Sequence, residues 1–182
     1  MVSNQARFDE MYRGYFRPVH AYCRRRTSAE RADDATAETF LTAWRKIDIA
    51  PQDSDALPWL YGIARGVISN SRRSSFRIRR LGSKMASLRV LHDDSPGDVV
   101  ATRHETGQIL VALDHLSPSD QEVLRLSMWE ELSGAELAIA LDVSEEAARQ
   151  RLSRAKRRLA DSYNRFEISG WSRSVSLEGG VP

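Results

Sequence analysis

The chain has 182 residues, of which 41% are hydrophobic and 29% charged. That length makes one medium domain or two small ones, and the composition suits small helical domains with thin cores rather than one large sandwich or barrel. Its 27 basic and 25 acidic side chains nearly cancel to a net charge of +2, but the bases are clustered. "RRSSFRIRR" (72–80) and "RQRLSRAKRR" (149–158) contain no acid, while "HDDSPGD" (92–98) between them is acidic. Basic clusters attract phosphate whatever the net charge, and a solvated helix face is the plainer alternative for either run.

A single cysteine, Cys23, excludes an internal disulfide and falls on an apolar helix face, so it reads as a structural thiol. Four scattered histidines give no metal-ligand spacing, and no glycine-rich phosphate loop occurs, so neither metal nor cofactor is expected. "HDD" (92–94) reads as solvated linker, not as a hydrolase site. The N-terminus lacks a signal pattern and no apolar run approaches membrane-spanning length. The expectation is a soluble, cytoplasmic chain with no membrane insertion.

Helical periodicity runs throughout and no alternating strand is convincing. Phe8, Met11, Tyr12, Tyr15 and Val19 mark the buried face of a first helix, with Pro18 predicting a kink or a restart. A second helix is predicted from Ala29 to Ile47, with Ala32, Thr36, Phe40, Ala43 and Ile47 on one stripe. "DIAPQDSDALP" (48–58) reads as a loop that places Pro58 in the first turn of a third helix. Leu60, Ile63, Ala64 and Val67 form that helix's buried stripe, and its end dissolves into Ser and Arg.

Residues 82–105 lose periodicity and read as a flexible acidic linker. A second block starts near Glu105, with Ile109, Leu113 and Leu116 on one stripe. Ser117 caps the next helix, with Pro118 in its first turn. Ser133 and Glu136 spell a capping box for a short helix, and Asp142 supplies a left-handed turn. Ser144 then caps a helix, "EEAARQRLSRAKRRL" (145–159). The tail over 167–182 reads as flexible.

A helical wheel puts Ala148, Leu152, Ala155 and Leu159 on one stripe of this last helix. Glu146, Gln150, Ser153, Arg154 and Arg157 lie opposite, flanked by Arg149 and Arg151. A short capped helix, a tight turn and a longer helix with a polar outer face make a helix-turn-helix. Arginine grips guanine bidentately and glutamine grips adenine, while Lys156, Arg157 and Arg158 suit phosphate. Glu145 and Glu146 favour the helix dipole but repel phosphate.

Taken together, "DDATAETFLTAWRKI" (33–47), "PWLYGIARGVISNSRR" (58–73) and residues 113–159 resemble a bacterial RNA polymerase sigma factor of the extracytoplasmic-function type, in the sigma-70 superfamily. The resemblance spans Phe8 to about Leu159, and the pairing of "AETFLTAW" with "PWLYGIA" is its most specific part. It implies an all-α protein of two small helical domains: a region 2-like domain over 1–81, the linker over 82–105, and a region 4-like four-helix domain with the helix-turn-helix over 106–166. It implies core RNA polymerase and promoter DNA as partners, with an anti-sigma factor as a further candidate, and no catalysis by the chain itself. The linker, by the same resemblance, threads toward the RNA path.

Site residues follow by position. Asp34, Glu38 and Leu41 are implied to dock on polymerase, with Ala37 where glutamine is usual, so one interface hydrogen bond is missing. Trp44 nearby fits packing and docking equally. Gln52, Asp53 and Ser54, in a loop that has lost the family's aromatic and glycine, with Arg65, Arg72 and Arg73 on the helix that follows, are implied to meet the minus-ten element. Gly66 replaces a common asparagine, and Trp59 is expected in the core. Arg149, Gln150, Arg151, Ser153, Arg154 and Arg157 are assigned to the upstream, minus-thirty-five element. Of two other readings, a stand-alone operator-binding regulator has no reason to carry the first block, and a helical module that only binds protein, such as a decoy that occupies polymerase, predicts polymerase binding with no promoter-dependent transcript.

Overall fold

The computed structural model describes residues 3–82 and 105–175, with side chains for 3–74 and 107–165. Among the described residues there are seven α-helices, two short 3-10 turns and no strand. They form two compact units, one within residues 1–97 and one within 98–182. The expected acidic linker lies, but for its two ends, outside the described residues.

In the first unit, α1 (Asn4–Arg24), α2 (Ala29–Arg45) and α3 (Ala56–Gly82) all pack on one another. Ser3 caps α1 by accepting from the Ala6 amide at 3.2 Å. The helix neither stops nor restarts at Pro18. Val19, Tyr22 and Cys23 just beyond it are fully buried, and that packing outweighs the hydrogen bond the proline removes. The α2 stripe is as expected, with Ala32, Thr36, Phe40 and Ala43 buried. Its buried hydroxyls are satisfied locally: Thr36 and Thr39 donate to the carbonyls of Ala32 and Ala35 at 2.7 and 2.6 Å. Ile47 is also buried, but in a 3-10 turn over Ile47–Ile49 rather than in the helix.

Leu60 and Ala64 of α3 are fully buried, whereas Tyr61 and Ile68 complete the stripe in place of the half-buried Ile63 and Val67. A helix seated against two neighbours buries a broader and slightly rotated face than a single stripe describes. Trp59, expected in the core, is half-buried. Behind this face Arg26 is buried, its guanidinium carbon 3.6 Å over the Tyr22 ring, which itself stacks on Tyr61 at 4.9 Å. The ring face and the Tyr22 carbonyl, 3.3 Å from Nη1, compensate the buried charge.

The second unit comprises α4 (Glu105–Asp114), α5 (Pro118–Met128), α6 (Gly134–Leu141) and α7 (Glu145–Val175), with α7 packed against the other three. The caps are those the sequence spells. Ser117 accepts from the Asp120 amide at 3.2 Å. Ser133 and Glu136 form a reciprocal capping box, the Ser133 amide donating to Glu136 at 2.7 Å. The Ser133 hydrogen bonds hold the Glu136 carboxyl below its usual range, despite partial desolvation. Asp142 ends α6 at φ 55°, in the left-handed region, and Ser144 caps α7.

One expectation fails here. Leu113 is buried and Leu116 half-buried, but Ile109 is 41% exposed, alongside exposed Leu110 and Val111. α4 packs chiefly on α7, through buried Ala112 and Leu113, so part of its apolar surface stays uncovered. α7 itself continues to Val175, past Phe166 where the sequence loses its period. No proline interrupts the segment, and each added residue extends an existing helix by one hydrogen bond.

Candidate nucleic-acid and protein interfaces

The wheel of α7 is realised in the second unit. Ala148 and Ala155 are fully buried, Leu152 and Leu159 half-buried, and Ser162 extends the stripe by donating to the Ala112 carbonyl at 3.2 Å. Arg149, Gln150, Arg151, Ser153, Arg154 and Arg157 are all exposed. The structure therefore brings the six upstream-element candidates onto one accessible helix surface.

The acidic start of this helix has a geometric role. Glu145 accepts from Arg149 at 2.9 Å and Glu146 accepts from Gln150 at 3.2 Å, while Arg154 Nε donates to the Gln150 carbonyl at 3.3 Å. A Cβ on Gly134 would lie 3.6 Å from Glu145 Oε1, so this carboxylate also borders the first turn of α6. Ion pairs this exposed add little stability. Their consequence is orientation: the Arg149 and Gln150 side chains are held along the helix, toward its first turn.

Arg158, one of the three bases suited to phosphate, also has a partner within the fold. Its Nη1 donates to Asp120 Oδ2 at 2.6 Å, tying α7 to the first turn of α5. Asp120 is buried and also accepts from the Ser117 hydroxyl at 2.8 Å. Burial alone would raise its carboxyl, but the Ser117 and Arg158 hydrogen bonds and the charges of Arg158 and Arg154 hold it below the usual carboxylate value. The signal was present in the sequence as "SPSD", a cap with an acid three positions on.

In the first unit, Gln52, Asp53 and Ser54 are exposed in the loop that leads into α3. Asp53 begins a 3-10 turn over Asp53–Asp55 with φ 54°. Arg73 is exposed and donates to Ser69 Oγ at 3.0 Å, and Arg65 is half-buried. Arg72 is exposed too, yet one of its nitrogens donates to the Arg26 carbonyl at 2.8 Å, bracing the end of α1.

The α2 candidates Asp34, Glu38 and Leu41 are exposed, and Glu38 pairs with Arg45 at 3.7 Å. Beside them runs an apolar groove lined by Phe8, Tyr12, Ala37, Phe40, Leu41 and Trp44. Phe8 meets the edge of Trp44 at 5.2 Å and Tyr12 meets Phe40 at 4.8 Å, both within aromatic-pair range. Tyr12, expected on the buried face, is 42% exposed, and Trp44 is 38% exposed, so both line an open surface. The i, i+4 spacing of Phe8, Tyr12 and Phe16 could have revealed this, since one helix presents them in a row. Ala37, where glutamine was expected, lines the groove and leaves it open.

Among the described residues no group of three histidine, cysteine or acidic side chains could hold a metal, and no helix is long and apolar enough to cross a membrane.

Residues 11–78 match the family described as Sigma-70 region 2, and residues 106–159 match Sigma-70, region 4. The chain is 32% identical over 132 residues to the RNA polymerase sigma factor NccH of Alcaligenes xylosoxydans, covering 70% of each protein. It is 33% identical over 156 residues to the ECF RNA polymerase sigma factor BldN of Streptomyces coelicolor, covering 84% of this chain and 59% of BldN. The solved structure of the sigma factor RpoE in complex with the anti-sigma factor NepR from Bartonella quintana has the same fold. Its TM-score is 0.61 at 21% identity, over 86% of this chain and 96% of that one. A region 2 helical unit followed by a region 4 helix-turn-helix, with relatives of this kind, places the chain in the sigma-70 family as an extracytoplasmic-function RNA polymerase sigma factor, which acts with core polymerase in promoter recognition and transcription initiation.

Proposed function

We propose a division of labour among the surfaces described above. The exposed face of α7 reads the upstream promoter element, with Arg149, Gln150, Ser153 and Arg154 at base edges and Arg151 and Arg157 on phosphate. The loop at Gln52, Asp53 and Ser54 meets the minus-ten element, backed by Arg65, Arg72 and Arg73, and opens it with polymerase. Asp34, Glu38 and Leu41, with the aromatic groove beside them, dock on polymerase. The chain performs no catalysis of its own and works in the cytoplasm, where it lends specificity to the enzyme. An anti-sigma factor, as in the RpoE complex, is the expected negative regulator.

The observation that carries this reading is the split of α7. Alanines at two positions of one face are fully buried against the helix-turn-helix, while every reading candidate is exposed on the other. The test is Arg154→Ala in the assembled holoenzyme, assayed on promoters varied one base pair at a time. A loss of about 1–3 kcal/mol at one upstream base pair, with relaxed preference there, is expected. Unchanged preference at every upstream position moves the readout off this residue.

A further inference from the structure

The loop between α2 and α3 is pinned from one side by a single helix. Asn4 Nδ2 donates to Asp48 Oδ1 at 2.7 Å, Arg7 Nη2 to the Ala50 carbonyl at 3.1 Å, and the Tyr15 hydroxyl to the Asp53 carbonyl at 3.2 Å. These donors lie along α1 in the same order as their acceptors lie along the loop, so α1 acts as a rail for residues 48 to 53. The last contact falls on the one loop residue with an unfavourable backbone, since Asp53 has φ 54° and is not glycine. Such a conformation persists where surrounding contacts over-determine it. Tyr15 binds the Asp53 carbonyl, not its side chain, which leaves Gln52, Asp53 and Ser54 all exposed.

We propose that Tyr15 is a positioning residue for promoter recognition: its hydroxyl holds the left-handed turn at Asp53, so that Gln52 and Ser54 are presented to an unpaired base before DNA arrives. This rests on the reading of the loop as the minus-ten contact. The physical gain is pre-organisation. A loop ordered in the folded protein does not have to lose its freedom at the moment a base enters, so more of the contact energy goes to discriminating one base from another.

Tyr15→Phe keeps the ring and removes only the donor. In the full chain, amide exchange over residues 50 to 55 is expected to quicken about two- to tenfold, the range that one net hydrogen bond allows, with α1 and α3 unchanged. In the holoenzyme, promoter opening is expected to fall by a similar factor. Base preference should flatten at one minus-ten position, with upstream preference intact. Unchanged exchange overturns the clamp, and faster exchange with unaltered base preference overturns Tyr15's role in recognition. Gln52→Ala tests the underlying reading separately, because it leaves the clamp in place. If it also leaves minus-ten preference untouched, it is the assignment of the loop that fails.

Discussion

Asp120 is buried in the first turn of α5, and the groups around it favour its charge strongly enough to reverse the effect of burial. Its stabilisation follows the sign of a depressed carboxyl. The contribution is complete above the ordinary carboxylate range and is lost as the pH falls through the lower, folded-state value. Arg158→Met removes one charged partner and leaves the carboxylate with Ser117. At neutral pH the variant should be less stable by about 1 kcal/mol, since solvent reaches the Arg158 end and screens the pair. Denaturant unfolding followed from pH 7 downward should show the gap closing in acid, as Asp120 becomes protonated. A gap that persists unchanged at low pH would assign the effect to the packing of the Arg158 stem instead. The same bond gives one base of the "KRR" run a partner within the fold. Charge pattern cannot separate two adjacent arginines, whereas an acid held on a neighbouring helix can.

At the scale of the element, α2 has one face of alanines and threonines locked into the bundle and another carrying Asp34, Glu38, Leu41 and Trp44 in the open. Glu38 and its Arg45 partner are each more than half exposed, so their pair adds little to folding. Glu38→Lys should therefore leave helicity and unfolding unchanged while weakening association with core polymerase by about 1–3 kcal/mol, most visibly at low salt. Normal association of a normally folded variant would remove Glu38 from the docking surface. The caps in the second unit were readable because capping is local chemistry: Ser117, Ser133, Asp142 and Ser144 each act within a few residues of their own position. The exposed side of α4 was not readable. Ile109 has the spacing of a core residue, and only the number of neighbours around the helix decides whether that face is covered. The exposure of Tyr12 was legible, by contrast, in the i, i+4 row of Phe8, Tyr12 and Phe16 along one helix.

For the whole molecule, the residues that make the two units recognisable are not always those that act. The "AETFLTAW" and "PWLYGIA" segments identify the first unit largely through buried apolar side chains, such as Phe40, Ala43, Leu60 and Ala64. The outward face of α7 was legible from the wheel alone, because burial of Ala148 and Ala155 turns the opposite face to solvent. The long-range pins from Asn4, Arg7 and Tyr15 to the loop were invisible in the sequence, since they join positions about forty residues apart through backbone carbonyls and a single side chain. The central claim, that this chain confers promoter choice on polymerase and needs polymerase to exert it, is tested most directly by run-off transcription. The purified chain is added to core RNA polymerase on a whole-genome promoter library. The account predicts transcripts from a restricted set of promoters that share an upstream and a minus-ten element, absent when either protein is left out. No promoter-specific transcript from the library, or promoter DNA bound tightly and selectively by the chain without polymerase, would contradict it.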